Sequence, residues 1–446
     1  GTTSETDSRF RPTSTTNGYE GTFNYIWKID TLGSQFKVLG DYARREASSH
    51  NDNFSHIQPE GLPSVDSTYR DHTDNSFEVA ALTLALDKKF SPKWSLQTGA
   101  KYTRNHTYNN SLYQYLKEEE WVRNDDQSLR VDYTEHIAAA YGVVTAKLGR
   151  WGVTAGLRGE YTRTDGRRNG VEQNYFSLFP NANVSYSLSS DGAYSLVAQY
   201  ARTIRRPSFW TLMPNRSQIS DYTYQTGNPD LLPSYTSDVS LTAVLAHKYT
   251  LTAGISIVDD EINQDMVPDA ENPDVLGILW LNYDRTASYY LAASLPFQLA
   301  KWWTLNLNAN YVYNGMRLSS HGSIRYHHYL FANAQTTFTL PGKVYLDLSY
   351  RYNNRLYLGS CWVDAMHFLN ASIKKSFFGD RLTCTFSAYN LLNRAQTLGA
   401  RGDDFVRHQQ VRQNWSSIRF QVGVTYNFKA GKAFQKKSVE AGAAED

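Results

Sequence analysis

Cysteine is nearly absent from this chain. Only Cys361 and Cys384 occur in 446 residues. Two cysteines build neither a disulfide framework nor a cysteine-based metal site. A charge of one sign is missing too: 45 lysines and arginines face 43 aspartates and glutamates, for a net charge of +2. That balance creates no strong field and excludes nucleic acid as a charge-driven partner. Long apolar runs are also lacking, and mean hydropathy is −0.53. No stretch approaches the roughly 20 apolar residues that a membrane-spanning helix needs. This excludes helical spans but not barrel strands, in which only alternate residues meet lipid. Catalytic constellations are missing as well. The chain has no nucleophile elbow, and Asp259, Asp260, Glu261 and Asp265 lack the glycine and spacing of a calcium loop. The reading is therefore a non-enzyme with no metal and no cofactor.

Aromatic residues are abundant at 14%, with 32 tyrosines. Tyrosine suits strands and membrane interfaces, where the ring lies in the apolar layer and the hydroxyl among headgroups. The segment Ile418–Phe428 places Ile418, Phe420, Val422, Val424, Tyr426 and Phe428 on one face of a strand. Arg419, Gln421, Gly423, Thr425 and Asn427 fall on the other. Similar alternation recurs. Trp303, Leu305, Leu307, Ala309, Tyr311 and Tyr313 oppose Asn306, Asn308 and Asn310, while Leu346, Leu348 and Tyr350 oppose Asp347, Ser349 and Arg351.

Read this way, about seventeen strands are expected from the apolar alternation and turn signals. They are 18–29 and 35–46, 74–87 and 94–105, 130–148 and 151–164, 174–188 and 193–204, 235–246 and 249–259, 277–297 and 301–314, 324–340 and 343–355, 362–376 and 381–392, then 412–428 alone. They exceed the length of ordinary soluble strands, which average about 5–6 residues. The predicted fold is an all-β transmembrane antiparallel barrel.

Short turns alternate with long connections, and outer-membrane barrels put the short turns in the periplasm. The last strand then ends in the periplasm, and Gly1–Thr16 reads as loop sequence outside the cell. An odd strand count predicts further strands upstream of Gly1, with residues 1–428 as the later part of the barrel. Residues 429–446 read as a disordered periplasmic tail. A cross-hairpin offset of about a dozen residues, or roughly 40 Å, predicts free thiols at both cysteines.

One segment is more specific. Tyr200-Ala-Arg-Thr-Ile-Arg-Arg-Pro-Ser-Phe-Trp-Thr-Leu-Met-Pro214, followed by Gly227-Asn-Pro-Asp-Leu-Leu-Pro233, resembles a signature of TonB-dependent outer-membrane receptors of the Bacteroidetes type. Ala388–Asn393 and the closing Val424–Phe428 are similar to weaker family patterns. The resemblance implies 22 strands with a plug domain upstream. It further implies uptake of a chelated metal, glycan, peptide or vitamin, energised by the TonB complex acting through that plug. Whether a surface lipoprotein caps the mouth stays open.

Within the signature, Pro207, Gly227 and Pro229 predict an ordered loop over Arg205–Ser234. Its aromatic and cationic residues are the candidate ligand contacts: Arg205, Arg206, Trp210, Arg216, Tyr222 and Tyr224. Arg158, Glu160, Gln199, Asn306, Asn308, Asn310, Asp347 and Arg351 are expected to face the lumen or the plug. His327 and His328 are adjacent and so point to opposite faces, which argues against a metal site with His321. Two other readings compete: a passive pore or enzyme barrel of the outer membrane, and a soluble or surface carbohydrate-binding β-protein.

Overall fold

The computed structural model describes residues 4–428 except 60–62, 126, 167–169, 215–216, 221–222, 270–274, 318, 359–360, 394–395, 402–405 and 412–416. The tail 429–446 lies outside the described residues. One 18-stranded sheet forms the wall. Its four-residue member Glu120–Arg123 only hangs on the outer end of a neighbour. The others follow one another as an antiparallel meander: β1 (Ser4–Lys28), β2 (Gln35–Pro59), β3 (Val65–Lys89), β4 (Trp94–Lys117), β5 (Leu129–Leu148), β6 (Trp151–Gly166), β7 (Val171–Ser187), β8 (Ser195–Arg205) and β9 (Ser234–Leu245). Then come β10 (Tyr249–Asp259), β11 (Thr286–Ala300), β12 (Trp303–Met316), β13 (Arg325–Leu340), β14 (Val344–Asn353), β15 (Met366–Phe377), β16 (Leu382–Tyr389) and β17 (Arg419–Tyr426). Within the described residues β1 pairs only with β2, and β17 only with β16, so the sheet is an open wall.

The expected strands are present, with three differences. The expected strand 277–297 is two elements. Leu276–Tyr283 pairs with Glu261–Pro268 in a separate outer sheet, and the wall strand begins at Thr286. Its near-continuous apolar run imitates a buried strand, because a local pattern does not name its partner. The expected strand 362–376 divides in the same way. Cys361–Val363 joins an outer sheet with Leu356–Leu358 and Gln396–Arg401, and β15 starts at Met366. Finally, the segments 47–73, 106–129 and 1–16 are not simply loops. β1 to β4 run 24 or 25 residues each and continue into these regions. Only about 9–11 residues cross a membrane, so their outer halves stand beyond it. Those halves are mostly polar on both faces, with scattered residues such as Phe54, Tyr113 and Leu116, and show no regular alternation. Main-chain ladders hold them, helped by side-chain pairs such as Asn51 Nδ2 to Asp71 Oδ2 at 2.7 Å and Arg70 Nε to Gln114 Oε1 at 2.9 Å.

The apolar rows join across strands. Trp94, Ala146, Val153, Val184, Ala198, Leu241, Ala253, Leu291, Tyr311 and Leu330 are successive register partners from β4 to β13. The row leaves β4 at its short-turn end and reaches β13 near its outer end. That steady climb is the stagger of tilted barrel strands. Aromatics bracket the belt. Trp27, Trp94, Trp151 and Trp303 lie at short-turn ends, and Tyr19, Tyr102, Tyr161 and Tyr313 lie eight or ten residues further on the same face. Ten residues at a rise of about 3.3 Å, tilted about 40°, span about 25 Å, the height of an outer-membrane apolar band. Most of these rings are exposed, as a lipid-facing surface requires.

The turns suit their positions. Between β5 and β6 only Gly149 and Arg150 intervene, and Gly149 has φ 64°, the left-handed value that a two-residue hairpin turn needs first. Cys384 is a free thiol paired in register with Lys375 and Val424, remote from the outer sheet that holds Cys361; the Cys361 side chain lies outside the described residues.

Candidate functional site

The site is the loop that follows β8, at the outer end of the wall. Ser208 caps a single helical turn, α1 (Phe209–Leu212), its hydroxyl accepting from the Thr211 amide. Proline at 207 cannot extend the β8 ladder, so the chain leaves the wall there. Phe209, Leu212, Met213 and Leu231 bury against Val131, Tyr133, Val171 and Ile262. Val131 and Tyr133 lie on the face of β5 opposite Ala138, Ala140 and Val144 of the apolar belt. The loop therefore folds over the polar face of the wall, not the apolar one.

Hydrogen bonds tie this loop at several points. The Gly227 amide donates to the Met213 carbonyl at 2.9 Å and the Asn228 amide to the Thr211 carbonyl at 2.7 Å. Gln173 reaches from β7 to donate to the carbonyls of Leu231 at 2.7 Å and Pro229 at 3.3 Å. Asn228 donates to the Trp280 carbonyl at 3.1 Å. Asn282 accepts from the Leu232 amide at 2.8 Å and donates to the Leu232 carbonyl at 2.9 Å. Arg205 donates to the Ile262 carbonyl at 3.4 Å. The outer-sheet strand Leu276–Tyr283 is thus part of the clamp on the signature loop.

Beneath the loop lies an ion cluster. Arg206 and Arg158 both donate to the Glu160 carboxylate, whose side chain is only 8% exposed. Burial works against the Arg206 charge, but Glu160, with Tyr175 and Glu135, outweighs it and raises the pKa of the guanidinium. Arg206 is therefore an anchor that pins the loop to the wall. Trp210 is different. It is 52% exposed, edge-on to the anchored Phe209 at 4.8 Å between centroids. Tyr224 packs across Gly277, where a methyl would come within 2.8 Å of the tyrosine hydroxyl. Arg216 and Tyr222 lie outside the described residues.

The remaining polar candidates lie where alternation puts them. Arg158, Glu160, Gln199, Asn306, Asn308, Asn310, Asp347 and Arg351 all sit opposite the apolar belt on their strands. Asp347 accepts from the Thr337 hydroxyl at 2.5 Å, and Arg351 stacks over Phe368 at 4.4 Å. They do not converge into one cluster. His327 stacks on Tyr357 at 4.2 Å, whereas His328 meets Tyr311 on the other face. Among the described residues no group of histidines, cysteines and carboxylates could hold a metal ion. Sequence reasoning missed the partners Gln173 and Asn282 and the pairing of Arg206 with Glu160. Only contacts across the fold reveal them.

Gly227 offers a test of the clamp. A methyl there would lie 2.2 Å from the Met213 carbonyl oxygen and 2.7 Å from its nitrogen. Gly227→Ala is expected to destabilise the closed loop by about 1–3 kcal/mol. Limited proteolysis of the folded protein should then cut within 206–233 while the wall stays resistant. Unchanged protection would mean that the loop is held elsewhere.

No curated protein matches the chain in sequence. Solved structures do match its fold. The copper transporter OprC shares 13% identity with a TM-score of 0.59, covering 95% of this chain and 81% of that one. The ferric yersiniabactin uptake receptor FyuA from Yersinia pestis shares 13% identity with a TM-score of 0.56, covering 88% of this chain and 60% of that one. The FrpB iron transporter from Neisseria meningitidis shares 10% identity with a TM-score of 0.52, covering 93% of this chain and 72% of that one. Residues 27–426 match the outer membrane protein beta-barrel family. With lipid-facing rows, two aromatic girdles and a polar inner face already in place, that match assigns the chain to the outer membrane protein beta-barrel family, in the bacterial outer membrane.

Proposed function

We propose that this protein is an outer-membrane receptor that imports a nutrient, with the signature loop contributing to ligand capture at the mouth. In this reading a plug domain of the same full-length protein fills the polar lumen, and the TonB complex acts through it. The observation that carries the proposal is an immobilised loop presenting Trp210 to solvent at the outer end of the wall. Rigid aromatic groups over a packed base are the usual anchors of recognition. The named structural neighbours support the class, being a copper transporter, an uptake receptor for a ferric chelate and an iron transporter. Arg205, Arg216, Tyr222 and Tyr224 remain candidate contacts, whereas Arg206 acts through the loop's position.

The test is uptake by cells carrying the full-length protein, offered labelled copper, ferric chelates, cobalamin, oligosaccharides and peptides. One of these should accumulate, and an uncoupler that discharges the proton gradient should stop it. Trp210→Ala should weaken binding of that compound about 30-fold, the loss of roughly 2 kcal/mol at a central aromatic, with assembly unaffected. Steady conductance across a planar bilayer with uncoupler-insensitive uptake would point to a passive pore instead. Polar residues such as Asn306 and Gln199, exposed along the inner face, give that second reading its physical basis.

A further inference from the structure

The wall is split at one place. β7 pairs with β6 along its whole length, Val171–Ser187, and β8 pairs with β9 as far as Arg205. Between β7 and β8 the ladder covers only 181–187 against 195–201. Extending that register would set Leu178 opposite Ile204 and Ser177 opposite Arg205, but among the described residues no main-chain ladder joins them. Pro180 stands where the ladder stops. Proline donates no N–H and is confined to the edges of sheets. The split begins inside the apolar band. Pro180 lies between Tyr186, the partner of the inner-girdle Trp151, and Phe176, the partner of the outer-girdle Tyr161.

An open strand edge at this depth is costly, because lipid offers its main-chain groups no hydrogen bonds. Side chains bridge the gap instead, and they reach from β7 past β8. The Ser177 and Tyr235 hydroxyls meet at 2.7 Å, and Gln173 donates to the carbonyls of Leu231 and Pro229. Behind these links, Val171 of β7 shares a buried apolar cluster with Phe209 and Leu231 of the signature loop. The loop thus covers the split from the lumen side. On β8, where the split begins, the Arg202 Nε is buried with no hydrogen-bond partner among the described residues. We propose that the wall opens laterally here: β7 and β8 part above Pro180, and the signature loop is the latch that holds them. A segment held by a few side-chain links opens at lower free energy than one held by a continuous ladder. Lifting the loop breaks the Gln173 link and uncovers Val171, which frees the upper part of β7 to swing away. The opening joins the outer part of the lipid layer to the lumen. It does not depend on which ligand the loop takes, or on uptake.

The test is the distance between paired spin labels on the full chain in lipid vesicles, with Cys361 and Cys384 replaced by serine. One pair, Leu178→Cys with Ile204→Cys, spans the split. The other, Val184→Cys with Ala198→Cys, spans intact ladder. The split pair should lie about 5 Å farther apart than the ladder pair, one strand spacing, with a broader distribution. Gln173→Ala with Ser177→Ala cuts the links, and should widen the split pair by about another 5 Å while the ladder pair stays as it was. Equal distances in the two pairs, or a split pair that this double variant does not move, would overturn the proposal. If the double variant loses the folded, heat-modifiable form on a gel, Gly227→Ala takes its place. A widened split pair then supports the latch, and an unmoved one refutes it.

Discussion

Glu160→Leu is expected to destabilise the folded protein by about 3 kcal/mol, the lower end of the range for breaking a buried ion pair. The lower end applies because the polar face of the wall opens toward water. Glu160 is the single carboxylate shared by Arg158 and Arg206, whose side chains are 27% and 21% exposed. Removing it leaves two guanidiniums without their shared ion-pair partner, with only the more distant Glu135 acting on Arg206, under a loop that excludes much of the solvent. The loop should detach first, because Arg206 is its charged link to β6, followed by lower resistance of the wall to urea. A double-mutant cycle with Arg206→Leu separates the pair from the fold. The combined variant should be less destabilised than the sum of the singles, since it removes charge from both sides. Urea unfolding in lipid vesicles, with protease cleavage of 206–233 followed in parallel, measures both effects. Unchanged stability in Glu160→Leu would show that lumen water already solvates these arginines.

Leu307→Arg is expected to cost about 2–4 kcal/mol, because a charge on the lipid face near mid-bilayer has no water to hold it. Leu307 lies between the girdle residues Trp303 and Tyr313 and pairs with Leu295 and Ala334, all on the apolar face. Its neighbour Asn308 pairs with Ser294 and Asn333 on the polar face. Asn308→Arg should therefore be close to neutral, although the substituted atoms are one residue apart. Leu346→Arg should fall between the two, since Leu346 is two residues from the inner end of β14 and its charge can reach the interface. Folding into vesicles of defined thickness reads all three. Equal penalties at 307 and 308 would reverse the assignment of faces on β12.

The wall was legible because its signal is local. A strand of the barrel meets two media, so alternation along β12, β14 and β17 carries both the element and the direction of each side chain. Turn chemistry did the rest, as with Gly149 between β5 and β6. Where a strand meets water on both faces the signal vanishes. That is why the outer halves of β1 to β4 read as loops although they form continuous ladders. Leu276–Tyr283 misled for the opposite reason. It is apolar on both faces, with Trp280 packed against the signature loop from an outer sheet, and an apolar run does not distinguish protein from lipid as its partner.

The candidate site divides along the same line. Order in the loop was foreseeable from Pro207, Gly227 and Pro229, whose backbone restrictions act within a few residues. The roles of its side chains were not. Arg205, Arg206 and Trp210 are close neighbours in sequence, and nothing local separates anchors from contacts. Arg206 became an anchor because β6 brings Glu160 beneath it from 46 residues away. Trp210 stayed exposed because Phe209, beside it, took the buried position against Tyr133. Sequence alone thus determined the barrel strands, their faces and the membrane they suit, since periodic contact with lipid and water is written residue by residue. Only the tertiary structure decided which residues of the mouth hold the loop and which remain open to a ligand, because burial and ion pairing depend on partners that the chain supplies from distant strands.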